Sequence, residues 1–290
     1  MQRKKLVDWL IFIVLSLIWG SAFIVMKLTS KELNGYQLAS VRIFSAGLVF
    51  LPLAIVHISK IPARKIPFVV LTGLLGNFFP AFLFAIAIEK KIDSSLAGIL
   101  NSLTPLFVIA LGFLFFSIPV RRAKLMGVII GFTGLVILSL SKGGISLDNL
   151  NYALLILLAT FMYGLNVNIV THYLKEVDPM KMATVSLMFT TLLSAIVMWQ
   201  QDVFSMWSDD PGARASLLYA ALLGVIGSAF ATALFYILIK RAGGLFASLV
   251  TYGIPVIAIF WGILDNEQVT LIQVGCLGLI LSGVYLANRS

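Results

Sequence analysis

Charge is scarce in this chain. Of 290 residues, 21 are Lys or Arg and 12 are Asp or Glu, 11% together, where a soluble globular domain carries about 25%. Histidine is confined to His57 and His172, and Cys276 stands alone. One cysteine excludes an intramolecular disulfide. Two isolated histidines without a cysteine partner lack zinc-ligand spacing. Also missing are a Gly-x-Ser-x-Gly elbow, a His-Glu-x-x-His pair and a phosphate-binding Gly-Lys loop, so hydrolase, metalloprotease and nucleotide-driven pump readings have no residues to carry them. The longest polar stretch, Gln200 to Arg214, is too short to fold alone. No cofactor, no metal and no catalytic residue are implied.

What fills the chain is apolar: 60% of residues, with a mean hydropathy of +1.03. That is the composition of a membrane protein. Apolar runs long enough to cross about 30 Å of hydrocarbon as helices recur over 7–28, 36–57, 67–88, 94–116, 122–140, 150–172, 180–200, 215–238, 245–264 and 271–287. The expectation is an all-α polytopic membrane protein with ten transmembrane helices. The first run follows Arg3-Lys4-Lys5 as a signal peptide would, yet it is too long and lacks a small-x-small cleavage site. It reads as an uncleaved first span.

Basic residues orient such a chain. Fourteen Lys and Arg fall on the side of the N-terminus, against six (Lys27, Lys31, Lys90, Lys91, Lys142, Arg214) on the other, with Arg42 inside a span. The bias places both termini in the cytoplasm of an inner membrane. It also accounts for the net charge of +9 without a nucleic-acid partner.

The chain repeats itself. Trp19-Gly20-Ser21 answers Tyr163-Gly164-Leu165 at a shift of 144 positions, and Leu74-Leu75-Gly76 answers Leu222-Leu223-Gly224 at 148. Leu96-Ala97 with Pro105 and Gly112 answers Phe246-Ala247 with Pro255 and Gly262 at 150. The division is therefore a first five-helix repeat over 1–142 and a second over 143–290, within one integral membrane domain. Five is odd, so the second repeat inserts upside down. The loops agree: Arg121-Arg122-Ala123-Lys124 is basic, whereas its counterpart Asp265-Asn266-Glu267-Gln268 is acidic. Such a 5+5 inverted repeat is a carrier architecture, with substrate held near the midplane between halves.

These motifs resemble the drug/metabolite transporter superfamily, specifically its ten-span EamA-type branch. The resemblance rests on Trp19-Gly20-Ser21-Ala22-Phe23 with Lys27, on Arg42, on Asn101-Ser102-Leu103-Thr104-Pro105, and on Glu267 followed by Gly275 and Gly283. It implies export or exchange of small metabolites, often amino acids, through a central cavity lined by spans one to four and six to nine. Spans five and ten would be peripheral. One departure stands out: Ser117 occupies the first-half position matching Glu267, which argues against a mechanism needing a carboxylate from both halves.

Polar groups within hydrocarbon are costly and frequently functional. The candidate substrate-binding residues are Asn77, Asn101, Asn166, Thr232, Thr251 and Tyr252, with Trp19, Phe82 and Tyr163 as aromatic walls. Interhelical hydrogen bonds, worth about 0.6 kcal/mol each on average, are the competing account of the hydroxyls. Pro105 and Pro255, matched in the repeat, are candidate hinges, since each removes a backbone hydrogen bond. Arg42 reads as a structural residue, pairing with helix-end carbonyls or Glu32. No Asp or Glu lies mid-span, which favours uniport or exchange over a proton relay. The expected partners are a small-molecule substrate and the lipid bilayer, with oligomerisation open. The rivals are a carrier of phosphorylated or lipid-linked metabolites, for which Lys240 and Arg241 would be needed, and a membrane-embedded transferase.

Overall fold

A computed structural model describes residues 2–90, 92, 94–119, 121–141, 150–209, 211–264 and 270–289. Among them every regular element is helical. The first half runs α1 (Gln2–Thr29), α2 (Gly35–Ile58), α3 (Ile66–Gly73), α4 (Phe79–Glu89), α5 (Ser94–Asn101), α6 (Thr104–Phe116) and α7 (Arg122–Ser141). The second runs α8 (Leu150–Tyr173), α9 (Pro179–Gln200), a short α10 (Val203–Asp209), α11 (Pro211–Leu223), α12 (Ala231–Ala242), α13 (Gly244–Ser248), α14 (Val250–Leu264) and α15 (Leu271–Arg289). Six stretches are long and apolar enough to cross a membrane: Lys5–Met26, Gly35–Ile58, Ala63–Glu89, Tyr152–Tyr173, Pro179–Gln200 and Gly212–Ala242. Thr104–Phe116, Gly244–Ile257 and Val274–Ala287 are shorter apolar helices.

Local chemistry sets the helix starts. Asn34 and Gln37 form a reciprocal capping box at α2, Asn34 Oδ1 accepting the Gln37 N–H at 2.9 Å, so two otherwise orphaned donors are satisfied. Glu89 takes a third, accepting the Gly35 N–H at 2.7 Å. The same carboxylate meets Lys90 at 3.2 Å, a hydrogen bond that holds the Lys90 ammonium above its ordinary pKa. At α9, Asp178 caps Met180 and Lys181 ahead of Pro179, where a missing N–H costs nothing.

Two helices widen into π turns. Leu74–Phe78 joins α3 to α4, and Gly224–Phe230 joins α11 to α12. The Phe79 N–H donates to Leu74 O and the Ala231 N–H to Ile226 O, both five residues back. In the first case the neighbouring Pro80 has no N–H to give Gly76 O, so the α register cannot continue there. Two further helices are broken outright: Ser102-Leu103 separates α5 from α6, and Leu249 separates α13 from α14. Pro105 stands in the first turn of α6. Pro255 lies inside α14.

Packing follows a regular scheme. α2 lies along α9, and α7 along α15; α1 packs on α14 and α12, as α8 packs on α6 and α4. The α7–α15 seam is built from small residues within one chain, Gly127 and Gly131 meeting Gly283 and Ala287 so closely that a side chain at Gly283 would strike the α7 backbone. Gly275 and Gly278 face open space and Ser282 is exposed, so the seam uses the other side of α15. Large apolar residues such as Leu10, Ile13, Leu53, Phe113 and Leu192 are exposed, as lipid-facing positions should be, while the buried set includes Asn77, Asn101, Asn166 and Asn168. Cys276 is buried in the α15 packing.

Candidate functional site

A cavity of about 100 Å³ lies between the two halves. α1 supplies Trp19, Ala22, Phe23 and Met26, spaced at three, one and three residues so that all four share one helical face. α2 contributes Arg42. The first π turn contributes Gly76 and Asn77, and the second Gly227 and Ser228. Phe84 stands on α4, Asn101 and Thr104 flank the α5–α6 break, and Tyr163 and Asn166 come from α8. Thr232, Phe235 and Tyr236 on α12 and Ser248, Thr251 and Ile254 about the α13–α14 break close it.

Irregular backbone lines a cavity in hydrocarbon only where its polar groups find work. At the second π turn, the register shift takes the Ala231 N–H off Gly227, and the Gly227 carbonyl accepts the Trp19 indole Nε1–H at 3.0 Å. One half thereby grips the first span of the other. Asn77, on the first π turn, accepts the Thr232 hydroxyl at its Oδ1, at 2.8 Å. That bond too crosses between halves.

Four buried side-chain polar atoms have no partner among the described residues, and three belong to this cavity: Asn77 Nδ2, Asn101 Oδ1 and Asn166 Oδ1. Buried polar atoms are nearly always satisfied. Three orphaned amide atoms around one void mark a place where a ligand or water completes them.

Of the nine substrate-binding candidates, Trp19, Asn77, Asn101, Tyr163, Asn166, Thr232 and Thr251 line this cavity. Phe82 does not: it is buried against Phe78 and Tyr36. Tyr252 is fully buried with its hydroxyl donating to Val128 O at 2.9 Å and its ring over Gly131, so it joins α14 to α7. Pro105 and Pro255 are not in the lining either; each follows a break whose flanking residues are.

Arg42 is the residue that sequence reasoning assigned otherwise. It pairs neither with Glu32 nor with helix-end carbonyls. Its Nε donates to Ser228 Oγ at 2.8 Å and one terminal nitrogen approaches Met26 Sδ at 3.8 Å. The cause is the close approach of α2 to the second π turn. Gly224 has no Cβ, and one there would overlap the Arg42 carbonyl, so the guanidinium reaches Ser228 four residues on. Its position within a span was the available signal. Lys240 is exposed at the end of α12, and Arg241 pairs with Asp8; neither lines the cavity. Glu267, Lys91 and Lys142 lie outside the described residues.

Lining positions pair at the spacings read from the sequence. At the shifts found in the sequence, Trp19 corresponds to Tyr163, Ala22 to Asn166, Phe84 to Thr232, Asn101 to Thr251 and Thr104 to Ile254. Both members of each pair reach the void. In three of the five pairs one member is apolar and the other polar, so corresponding positions present unlike side chains to the void.

The model of the EamA-like transporter family matches residues 8–140 and again 150–289. An uncharacterized inner membrane transporter of Escherichia coli strain K12, YedA, is 25% identical over 94% of this chain and 88% of its own length. A probable amino-acid metabolite efflux pump of Salmonella typhimurium is 29% identical over 48% of this chain and 44% of its own. A solved crystal structure superposes with a TM-score of 0.74 at 18% identity, covering 97% of this chain and 96% of that one; the likeness is one of fold.

Proposed function

Because the chain belongs to the EamA-like transporter family, we propose that it exports or exchanges small amphiphilic metabolites, amino acids foremost, by alternating access about the central cavity. In this reading ten spans form two inverted five-helix repeats, over 1–142 and 143–290, in an inner membrane with both termini cytoplasmic. Support for the repeat comes from the two tandem family matches and from a packing scheme that is unchanged when the halves are exchanged. The amino-acid reading draws on the efflux-pump relative.

The observation that carries the proposal is the cavity itself: buried, between the halves, aromatic on Trp19 and Tyr163, and ringed by unpartnered amide atoms of Asn77, Asn101 and Asn166. Such a site offers donors and acceptors to an ionic headgroup and ring faces to an ammonium. The breaks at Ser102-Leu103 and Leu249, each at the cavity wall, fit the discontinuous helices that frame carrier sites. Lacking a mid-span carboxylate among the described residues, the cavity favours uniport or exchange over proton coupling.

Counterflow into proteoliposomes preloaded with pooled amino acids, with and without a pH gradient, tests this. Accumulation of particular labelled amino acids, indifferent to pH, is expected. Folded protein that moves none of them refutes the amino-acid assignment.

A further inference from the structure

Arg42 carries a full charge into the cavity wall, and among the described residues no carboxylate faces it; the ion pairs found there join Lys90 to Glu89 and Arg241 to Asp8. A guanidinium has five N–H donors. One is used on Ser228 and another weakly on Met26 sulfur, which leaves most of the fork open. An intramembrane cation without a counter-charge is costly, and the described residues supply none, so its free donors are open to an anion carried into the cavity. The second half has nothing comparable. At the 144-residue shift of the Trp19–Tyr163 pair, Arg42 corresponds to Ser186, which is buried and bonded to Ala183 O.

The free donors gather in one region. Arg42 rests on Ser228, and Asn77, with its unpartnered Nδ2, rests on Thr232, one turn further along the same helix. The free acceptors stand on other elements: Asn101 Oδ1 on α5 and Asn166 Oδ1 on α8, which pack together. Arg42 and Tyr163 line the same cavity, so an aromatic ring also borders the ionic site.

We propose that Arg42 is the specificity-determining anchor for a carboxylate of the carried molecule, with Asn77 as second donor and Asn101 and Asn166 accepting from its ammonium. The inference rests on reading this cavity as the seat of the substrate. A single guanidinium matches a monoanion; a phosphate monoester, near two negative charges, would be left half neutralised. A planar fork bonds a carboxylate through two parallel N–H···O bonds, which Lys cannot imitate.

Competition against counterflow separates the possibilities, using an L-amino acid, its primary amide, the same carbon skeleton with a carboxylate but no amine, and a phosphate monoester. The native protein should prefer the amino acid over its amide by about 10- to 100-fold, the range for a hydrogen-bonded charge. Arg42→Gln should collapse that ratio to within about twofold, and Arg42→Lys should keep part of it. Should Arg42→Gln not fold, the native ratio and Arg42→Lys still decide. An amide carried as well as the amino acid, a phosphate monoester preferred to both, or an Arg42→Gln loss equal for every ligand each overturns the inference. Transport of the amine-free carboxylate with no amino-acid transport would sink the amino-acid reading while upholding Arg42 as the carboxylate anchor.

Discussion

Three amides and one guanidinium stand short of partners at the centre of this molecule, and each is costly to bury alone. Asn101 and Asn166 present acceptors that no other side chain satisfies, so their removal should register in binding more than in folding. Asn101→Ala and Asn166→Ala are each expected to raise the concentration for half-maximal counterflow about 3- to 10-fold, the usual worth of one hydrogen bond, at near-native thermal stability. Unchanged affinity in both would show that a water, not the substrate, completes these groups. Trp19 differs, because its indole N–H is already spent on Gly227. Trp19→Phe keeps the ring and loses the bond; its expected effect is on turnover, since the bond ties α1 to the opposite half.

Elements show how irregular helices are made without exposing backbone to lipid. The two π turns stand at comparable places in the two halves, and each turns a freed or displaced group toward the cavity. π turns of this kind recur at functional sites. The broken pairs α5–α6 and α13–α14 are likewise matched, with a proline after each break. If these are hinges, the double variant Pro105→Ala/Pro255→Ala should slow exchange several-fold while leaving equilibrium binding intact; an unaltered exchange rate refutes the hinge. The α7–α15 seam makes a prediction of another kind. Gly283→Leu forces the seam apart against the Gly131 backbone and should destabilise the fold by about 1–3 kcal/mol, as overpacking does, read as a lower melting temperature in detergent. Retained substrate affinity in that variant is expected, because the seam lies outside the cavity lining.

At the scale of the whole molecule, helices that pack in corresponding pairs surround a cavity whose one charged lining residue, among those described, is Arg42. Orientation in the membrane is testable apart from transport: with Cys276 replaced by Ala, single cysteines at Gln2→Cys and Ser290→Cys should react with an impermeant maleimide only after permeabilisation. Labelling of intact cells at either end reverses the assigned topology.

Much of this was legible in the chain beforehand. Composition together with the length of the apolar runs determines a helical membrane protein, because unpaired backbone cannot survive in hydrocarbon and runs of about 20 apolar residues fit helices. Spacing of Trp19 and Tyr163, of the glycines and of the paired prolines is readable in the sequence, but the helix breaks at 102–103 and 249 are not, since 94–116 and 245–264 read as unbroken spans. Seven of the nine side chains singled out as polar or aromatic walls meet around one void, since a mid-span amide has few places to go except inward. Phe82 and Tyr252 lie elsewhere because periodicity gives a face but not its neighbour, and an aromatic ring packs equally well against lipid, helix or ligand. Arg42 shows the same limit at its sharpest. Its presence within a span is a fact of sequence, but its partner is set by Gly224, 182 positions away, where a missing side chain lets two helices touch. Which charges meet, and which are left for a ligand, depends on distances between segments remote in the chain. That only the tertiary structure decides.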